Sequence, residues 1–289
     1  MRVQARTGSR PATGPLLVRQ VRHQNKLFLR NPFSAFFSLA LPLMFLLLLG
    51  SLNSGQQLPQ RDGIAYIQFL TPGLLAFAVV STCYTGLATG VAINRDLGIL
   101  KRVRGTPLPA SVYVSARILS SIWFSVVGAV IMVAVGVVLF DLQVVWRMLP
   151  AAVVTLLLGA ACFCALGMAV AALIPNGEAA PAVANFTILP IAFVSDLFYP
   201  LDDAPAWLQA IGSVFPVKHF ALALEETFNP FVAGTGFRWD HLAVVALWGA
   251  AGLVVAIRKF RWEPRTPGGS RRRRGVSGSA AASGGRPGE

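Results

Sequence analysis

Residues 33–52 form an uncharged apolar run of about twenty residues, long enough for one α-helix to cross a hydrocarbon layer of about 30 Å. Five further apolar runs follow, at about 72–93, 115–140, 149–173, 179–198 and 242–257. Hydrocarbon offers no partner to a free N–H or C=O, so each run must satisfy its own backbone, which a helix does. The fold class is therefore all-α: a polytopic integral membrane protein with six transmembrane helices. Composition agrees, since 55% of the 289 residues are hydrophobic and only 13% charged, against about 25% charged in soluble domains.

The formal net charge of +13 raises the question of nucleic acid, but the basic residues stand in clusters beside the apolar runs. That is the positive-inside pattern of a membrane protein, and no nucleic-acid partner is expected. Arg2, Arg6, Arg10, Arg19, Arg22, Lys26 and Arg30 precede the first run, whereas Arg61 alone lies in the link after it. The N-terminus is thus predicted to be cytoplasmic, and six crossings return the C-terminus, with Arg258, Lys259, Arg261 and Arg265, to the same side. The chain divides into a disordered tail at 1–14, an amphipathic segment at 15–32, the six-span domain at 33–260, and a basic disordered tail at 261–289. Segment 15–32 reads either as a helix lying on the membrane surface against anionic lipid or as a charged flank of the first span. No apolar core follows the first 14 residues, so no cleavable signal peptide is expected.

Within the spans, Arg117 sits close enough to one end to snorkel toward water. Ala161, Ala165 and Ala169 recur every fourth residue in the fourth span, a spacing that lets another helix approach closely. Pro181 and Pro190 predict a kinked or broken fifth span. Asp196 at its far end is either wet or functional. Cys83, Cys162 and Cys164 read as small packing residues. Between the last two spans, residues 200–240 predict two short amphipathic helices hinged at Pro216, neither long enough to cross.

The polar island at 94–109, NRDLGILKRVRGTPLP, is predicted to be a single capped helix over 94–104. Asn94 would be its N-cap, Asp96 an acid in the first turn, and Lys101, Arg102 and Arg104 bases in the last. Gly105 would take the left-handed position and Pro107 would block continuation.

Arg95-Asp96-x-Gly98-x-Leu100-Lys101-Arg102-x-Arg104-x-Thr106-Pro107-Leu108 resembles the cytoplasmic loop of the membrane subunits of type-2 ABC exporters, the family that includes daunorubicin-resistance permeases. The family often carries Glu where this chain has Asp96. The string YPLDDAPAWLQAIGSVFPVKHFALALEE resembles the re-entrant outer hairpin of the same family. The resemblance implies a cytoplasmic coupling helix between spans two and three and a re-entrant outer helical hairpin between spans five and six. It also implies a separate ABC ATPase chain that binds ATP and Mg, a second permease subunit forming a homodimer, and an apolar or amphipathic cargo moved out across a bacterial plasma membrane. Arg95, Asp96, Leu97, Gly98, Leu100, Lys101, Arg102, Arg104 and Pro107 are then the ATPase-coupling residues.

No G-x-x-x-x-G-K-[ST] loop occurs, so this chain has no phosphate cradle of its own and no cofactor is expected on it. Thr82, Tyr84, Asn185, Thr187 and Asp196 supply sparse polar groups in apolar walls and form the expected substrate path. His23, His219 and His241 lack zinc spacing, and topology puts His23 on the opposite side from the other two. The alternative class is a membrane-embedded lipid-modifying enzyme using Asp202, Asp203, His219, Glu225 and Glu226 on the outer face. A passive pore or scaffold is a third.

Overall fold

The computed structural model describes residues 13–30, 32–61, 63–105, 108–202 and 204–260. The expected tails lie outside those residues, except that Thr13 and Gly14 already belong to the first helix. That helix, α1 (Thr13–Leu29), runs along α6 (Ala110–Phe140), where the Ser120 hydroxyl donates to the Asn25 side-chain carbonyl. Gln20, Val21, Gln24 and Asn25 are half-buried while Arg19, Arg22 and Lys26 stay exposed. The amphipathic pattern is thus used against protein on one side.

After α2 (Pro32–Leu52), strands β1 (Gln57–Leu58) and β2 (Ile64–Ala65) pair antiparallel and turn the chain back. A continuous helical rod follows, made of α3 (Tyr66–Val80), a π-helical turn (Ser81–Gly86) and α4 (Leu87–Asp96). It starts earlier than the predicted 72–93 because Gln68 finds partners inside the protein. Its Nε2 donates to the Phe228 carbonyl at 2.7 Å and the Gln143 carbonyl at 3.1 Å, and its Oε1 accepts from Gln143 N at 2.8 Å. A polar side chain so satisfied costs little to bury. Every residue of α3 except Ile67 is buried, so this helix is the core of the bundle.

Past α6, α7 (Leu149–Leu173) packs against the rod and against α11 (Trp239–Lys259). Glycines set both approaches. A Cβ on Gly167 would lie 2.8 Å from Tyr84 O and 2.9 Å from Cys83 O, so α7 touches the carbonyls of the π turn. On its other side, a Cβ on Gly252 would lie 3.0 Å from Leu166 N and 3.1 Å from the Ala165 carbonyl carbon. Ala165 of the small-residue stripe thus meets α11, with the glycine supplied by the partner helix, while Ala161 stays exposed.

α8 (Ala180–Phe193) is shorter than the predicted 179–198 and is not kinked at both prolines. Pro181 falls in its first turn, where no N–H is needed, and only Pro190 is interior. The helix stops because Asp196 adopts φ 55° and its carboxylate accepts from Leu201 N at 2.7 Å. α9 (Ala206–Val214) and α10 (Pro216–Phe228) then meet at Phe215, whose extended backbone and following proline separate them. Among the described residues, four helical stretches are long and apolar enough to cross a membrane: Tyr66–Asp96, Ser111–Phe140, Trp146–Leu173 and Trp239–Lys259. Leu39–Leu52 and Ala180–Phe193 are shorter apolar helices.

Candidate functional site

The polar island is not a single helix. α4 runs straight through Asn94 and ends at Asp96, and Gly98, at φ 68°, breaks the chain before α5 (Ile99–Arg104). Asn94 is therefore no N-cap; its amide donates to the Tyr113 hydroxyl at 3.2 Å. The left-handed residue is Gly98 and not Gly105, because the turn comes at the end of the rod, where α4 must leave the bundle.

This elbow has two sides. Arg95 is 1% exposed and donates to Ala171 O, in the last turn of α7, at 2.9 Å and to Ile174 O, just past its end, at 2.7 Å. A guanidinium there satisfies acceptors that the helix itself leaves free and meets the negative end of its dipole. Asp96 stands 3.4 Å from the Arg95 Nε and accepts from Gly177 N. Leu100 is fully buried. Leu97, Lys101 and Arg102 are exposed, and Asp96 shares that surface with its side chain 31% exposed, so what sets Asp96 apart is its bonds to Arg95 and Gly177. Pro107 lies outside the described residues, and Arg104 is placed only by its backbone in α5.

Of the five path residues, two meet. The Tyr84 hydroxyl, presented by the π turn, lies 2.7 Å from Thr187 Oγ1 on α8. Thr187 also reaches Val183 O and Ala184 O at 2.9 Å each, so its own hydrogen serves its helix and Tyr84 is the donor between them. Thr82 sits half-buried in the same turn and Asn185 is exposed on α8. Asp196 belongs elsewhere. It is 4% exposed, 3.0 Å from Lys218 Nζ and 4.0 Å from Arg61, so it is neither wet nor free.

The residues of the lipid-enzyme alternative separate into two ion clusters. Arg61 holds Glu225 through both carboxylate oxygens at 2.8 Å and Asp202 at 2.8 Å. Burial pushes the Glu225 carboxyl up to about 7 in spite of that cation. In the second cluster Arg238 pairs with Glu226 at 3.5 Å and Asp240 at 3.0 Å and donates to His241 Nε2 at 2.9 Å. His241 Nδ1 is 2.7 Å from His219 Nδ1, and His219 Nε2 is 2.8 Å from Ser213 O. The order of donors, Arg238 to His241 to His219 to the Ser213 carbonyl, assigns one proton to each ring. The acids are thus bound to arginines, and Asp203 lies outside the described residues. Two apolar grooves of about 560 Å³ flank α7, and none of the five path residues lines either.

The sequence reading counts Arg61 only as a marker of topology, and it misses the burial of Arg95 and the roles of Gln68 and Lys218. Arg95 carried a signal, since it continues the buried face of α4 through Ala88, Val91 and Ala92 at helical spacing.

Residues 17–228 match the family described as ABC-2 type transporter. The chain is similar to the daunorubicin resistance ABC transporter permease protein DrrB1 of Streptomyces coeruleorubidus, at 28% identity over 86% of each chain. It is similar to the nodulation protein J of Rhizobium meliloti strain 1021, at 27% identity over 63% of this chain and 69% of that one. The inner membrane transport permease YadH of Escherichia coli strain K12 is 21% identical over 70% of this chain and 72% of its own.

Proposed function

Since the chain belongs to the ABC-2 type transporter family, and is thus the membrane subunit of an ABC transporter that works with an ABC ATPase, we propose that it is an exporter permease driven through the elbow at Asp96–Arg104. The single observation that carries this reading is the arrangement of that elbow. Lys101 and Arg102 stand exposed on the short helix α5 and Leu97 just before it, while Leu100 is buried and Arg95 and Asp96, at the end of α4, fix the base of the elbow to the bundle. A presented face on a fixed base suits a contact that must pass on a push, and exposed cations suit an acidic partner surface.

In this reading α5 is the coupling helix, on the same cytoplasmic side as the basic α1 and the Arg258–Lys259 end of α11. The ATPase chain holds ATP and Mg. A ligand shifts an equilibrium only through differential affinity, so α5 must contact the ATPase differently in its two nucleotide states. The six-span topology, with α2 and α8 as the two shorter crossings and both termini inside, supplies the rest of the bundle. α9 and α10 form the outer re-entrant hairpin, dipping into the far leaflet without crossing it. Two such permeases join as a homodimer in a bacterial plasma membrane. The cargo is an apolar or amphipathic compound, and Tyr84 with Thr187, flanked by Thr82 and Asn185, forms the polar part of its path.

The test is accumulation of daunorubicin in cells expressing the chain with its ATPase, comparing wild type with the Lys101→Ala, Arg102→Ala pair. The double variant should lose efflux at normal protein level. Unchanged efflux would remove the coupling assignment.

A further inference from the structure

α4 and the turn between α7 and α8 are joined at three points within one short stretch. The Arg95 guanidinium spans Ala171 O and Ile174 O at the end of α7. The Asp96 carboxylate takes the N–H of Gly177. Gly177 in turn lies against the α4 backbone so closely that a Cβ there would sit 2.9 Å from Ile93 Cα and 3.4 Å from Ala92 O. Ala92, Ile174 and Ala180 close a small apolar cluster around the junction. α8 starts three residues after Gly177, and Ala179 N donates to the Asn176 side chain at 3.0 Å, which ties the start of that helix to the same turn.

Both joining side chains are spent on this junction. Arg95 is buried, and three of its nitrogens already have acceptors. Asp96 has one oxygen on Arg95 and the other on Gly177. The neighbouring Leu97, Lys101 and Arg102 are free to meet another molecule. The elbow therefore has a presenting half and a fastening half.

From this we infer that Arg95 and Asp96 are positioning residues that latch α4 to the Gly177 turn, so that a displacement of α5 is passed to α8 and to the Tyr84–Thr187 contact. This rests on the exporter reading for the source of the displacement. The latch itself does not. The Gly177 N–H is itself buried beneath the partly exposed Asp96 carboxylate, so it opens only when that contact opens, and a hydrogen bond to a charged group resists opening more than a neutral one does. Losing the acceptor frees Gly177 from the end of α4 while leaving the exposed cations of α5 in place.

Hydrogen exchange on the full chain in lipid nanodiscs tests both parts. In the chain alone, Asp96→Ala should speed exchange of the Gly177 amide by about tenfold or more, and Asp96→Glu, which keeps the acceptor, should restore it. An unchanged Gly177 amide overturns the latch. In the complex with the ATPase subunit that copurifies with it, wild type should respond to vanadate-trapped ATP both in peptide 97–104 and in peptide 174–180. Asp96→Ala should keep the ATPase and the response of 97–104 but lose that of 174–180. If 174–180 still responds, the route is not this one. If the ATPase is lost, Asp96 is a docking residue and the inference falls. If Asp96→Ala does not fold, Gly177→Ala, which forces the backbones apart, should give the same separation of responses, and its failure to do so counts against the latch. Absence of any copurifying ATPase, or of a response in 97–104 of wild type, overturns the exporter reading instead.

Discussion

The Lys218 ammonium on α10 stands 3.0 Å from the Asp196 carboxylate in the turn that ends α8, and the acid is 4% exposed. The same carboxylate accepts from Leu201 N, so one side chain closes the turn and fastens α10 to it. Removing one partner of a buried pair leaves the other charge uncompensated, which costs about 3–5 kcal/mol. Asp196→Ala should therefore destabilise strongly. Asp240→Ala is the control, because that side chain is 62% exposed and exposed pairs contribute about 0–1 kcal/mol. Thermal unfolding in detergent compares the two, and equal losses would refute the role given to burial.

Glu225 gives the protein a pH dependence of known sign. Its carboxyl is raised by burial from an ordinary 4.5 to about 7, with Arg61 opposing the shift. Between those two values the folded chain holds a proton that the unfolded chain has released, so stability falls as pH rises from 4.5 to 7. Glu225→Gln removes the titration. Melting temperature against pH should flatten over that window in the variant, and an unaltered profile would show that another group sets it.

Long apolar runs made most helices legible, because crossing a membrane leaves the backbone few alternatives. The break at Pro216 was legible for a similar local reason. The elbow was misread because its geometry is decided from far away. Arg95 meets acceptors 76 and 79 residues along the chain, so by position alone it counted as one more base in a basic loop. With α4 fastened there, the chain must turn at Gly98, so Asn94 has nothing to cap, while Gly105 does end α5, its N–H on Arg102 O at 3.1 Å, without the left-handed conformation. Asp196 was ambiguous for the same cause, its cation lying on a different helix.

Close backbone approach predicts a sharp contrast between two glycines of the rod. A Cβ on Gly73 would lie 2.2 Å from Leu197 O, a backbone atom that cannot swing aside, whereas on Gly86 it would lie 3.6 Å from Ser81 O. Gly73→Ala should prevent normal packing of α3 against the turn after α8 and lower the yield of monodisperse protein. Gly86→Ala should be tolerated. Size-exclusion profiles of the two variants decide it, and a tolerated Gly73→Ala would mean that α3 and Leu197 are further apart than described.

The Tyr84–Thr187 contact allows an asymmetric prediction. Tyr84 donates, and Thr187 accepts at 2.7 Å while giving its own hydrogen to Val183 O or Ala184 O. Tyr84→Phe removes the donor and leaves Thr187 still bonded to its helix, so the loss is a single hydrogen bond, about 1 kcal/mol. Thr187→Val keeps the shape but takes the acceptor from the hydroxyl of the buried Tyr84, which costs about 1–3 kcal/mol. Once Phe stands at 84, Thr187→Val has no hydroxyl to strand, so the double variant should be less destabilised than Thr187→Val alone plus Tyr84→Phe alone. Unfolding measurements on the two single variants and the double variant complete the cycle. Equal single losses that simply add would mean that the two hydroxyls are not partners, and that α8 is held against the π turn by packing alone.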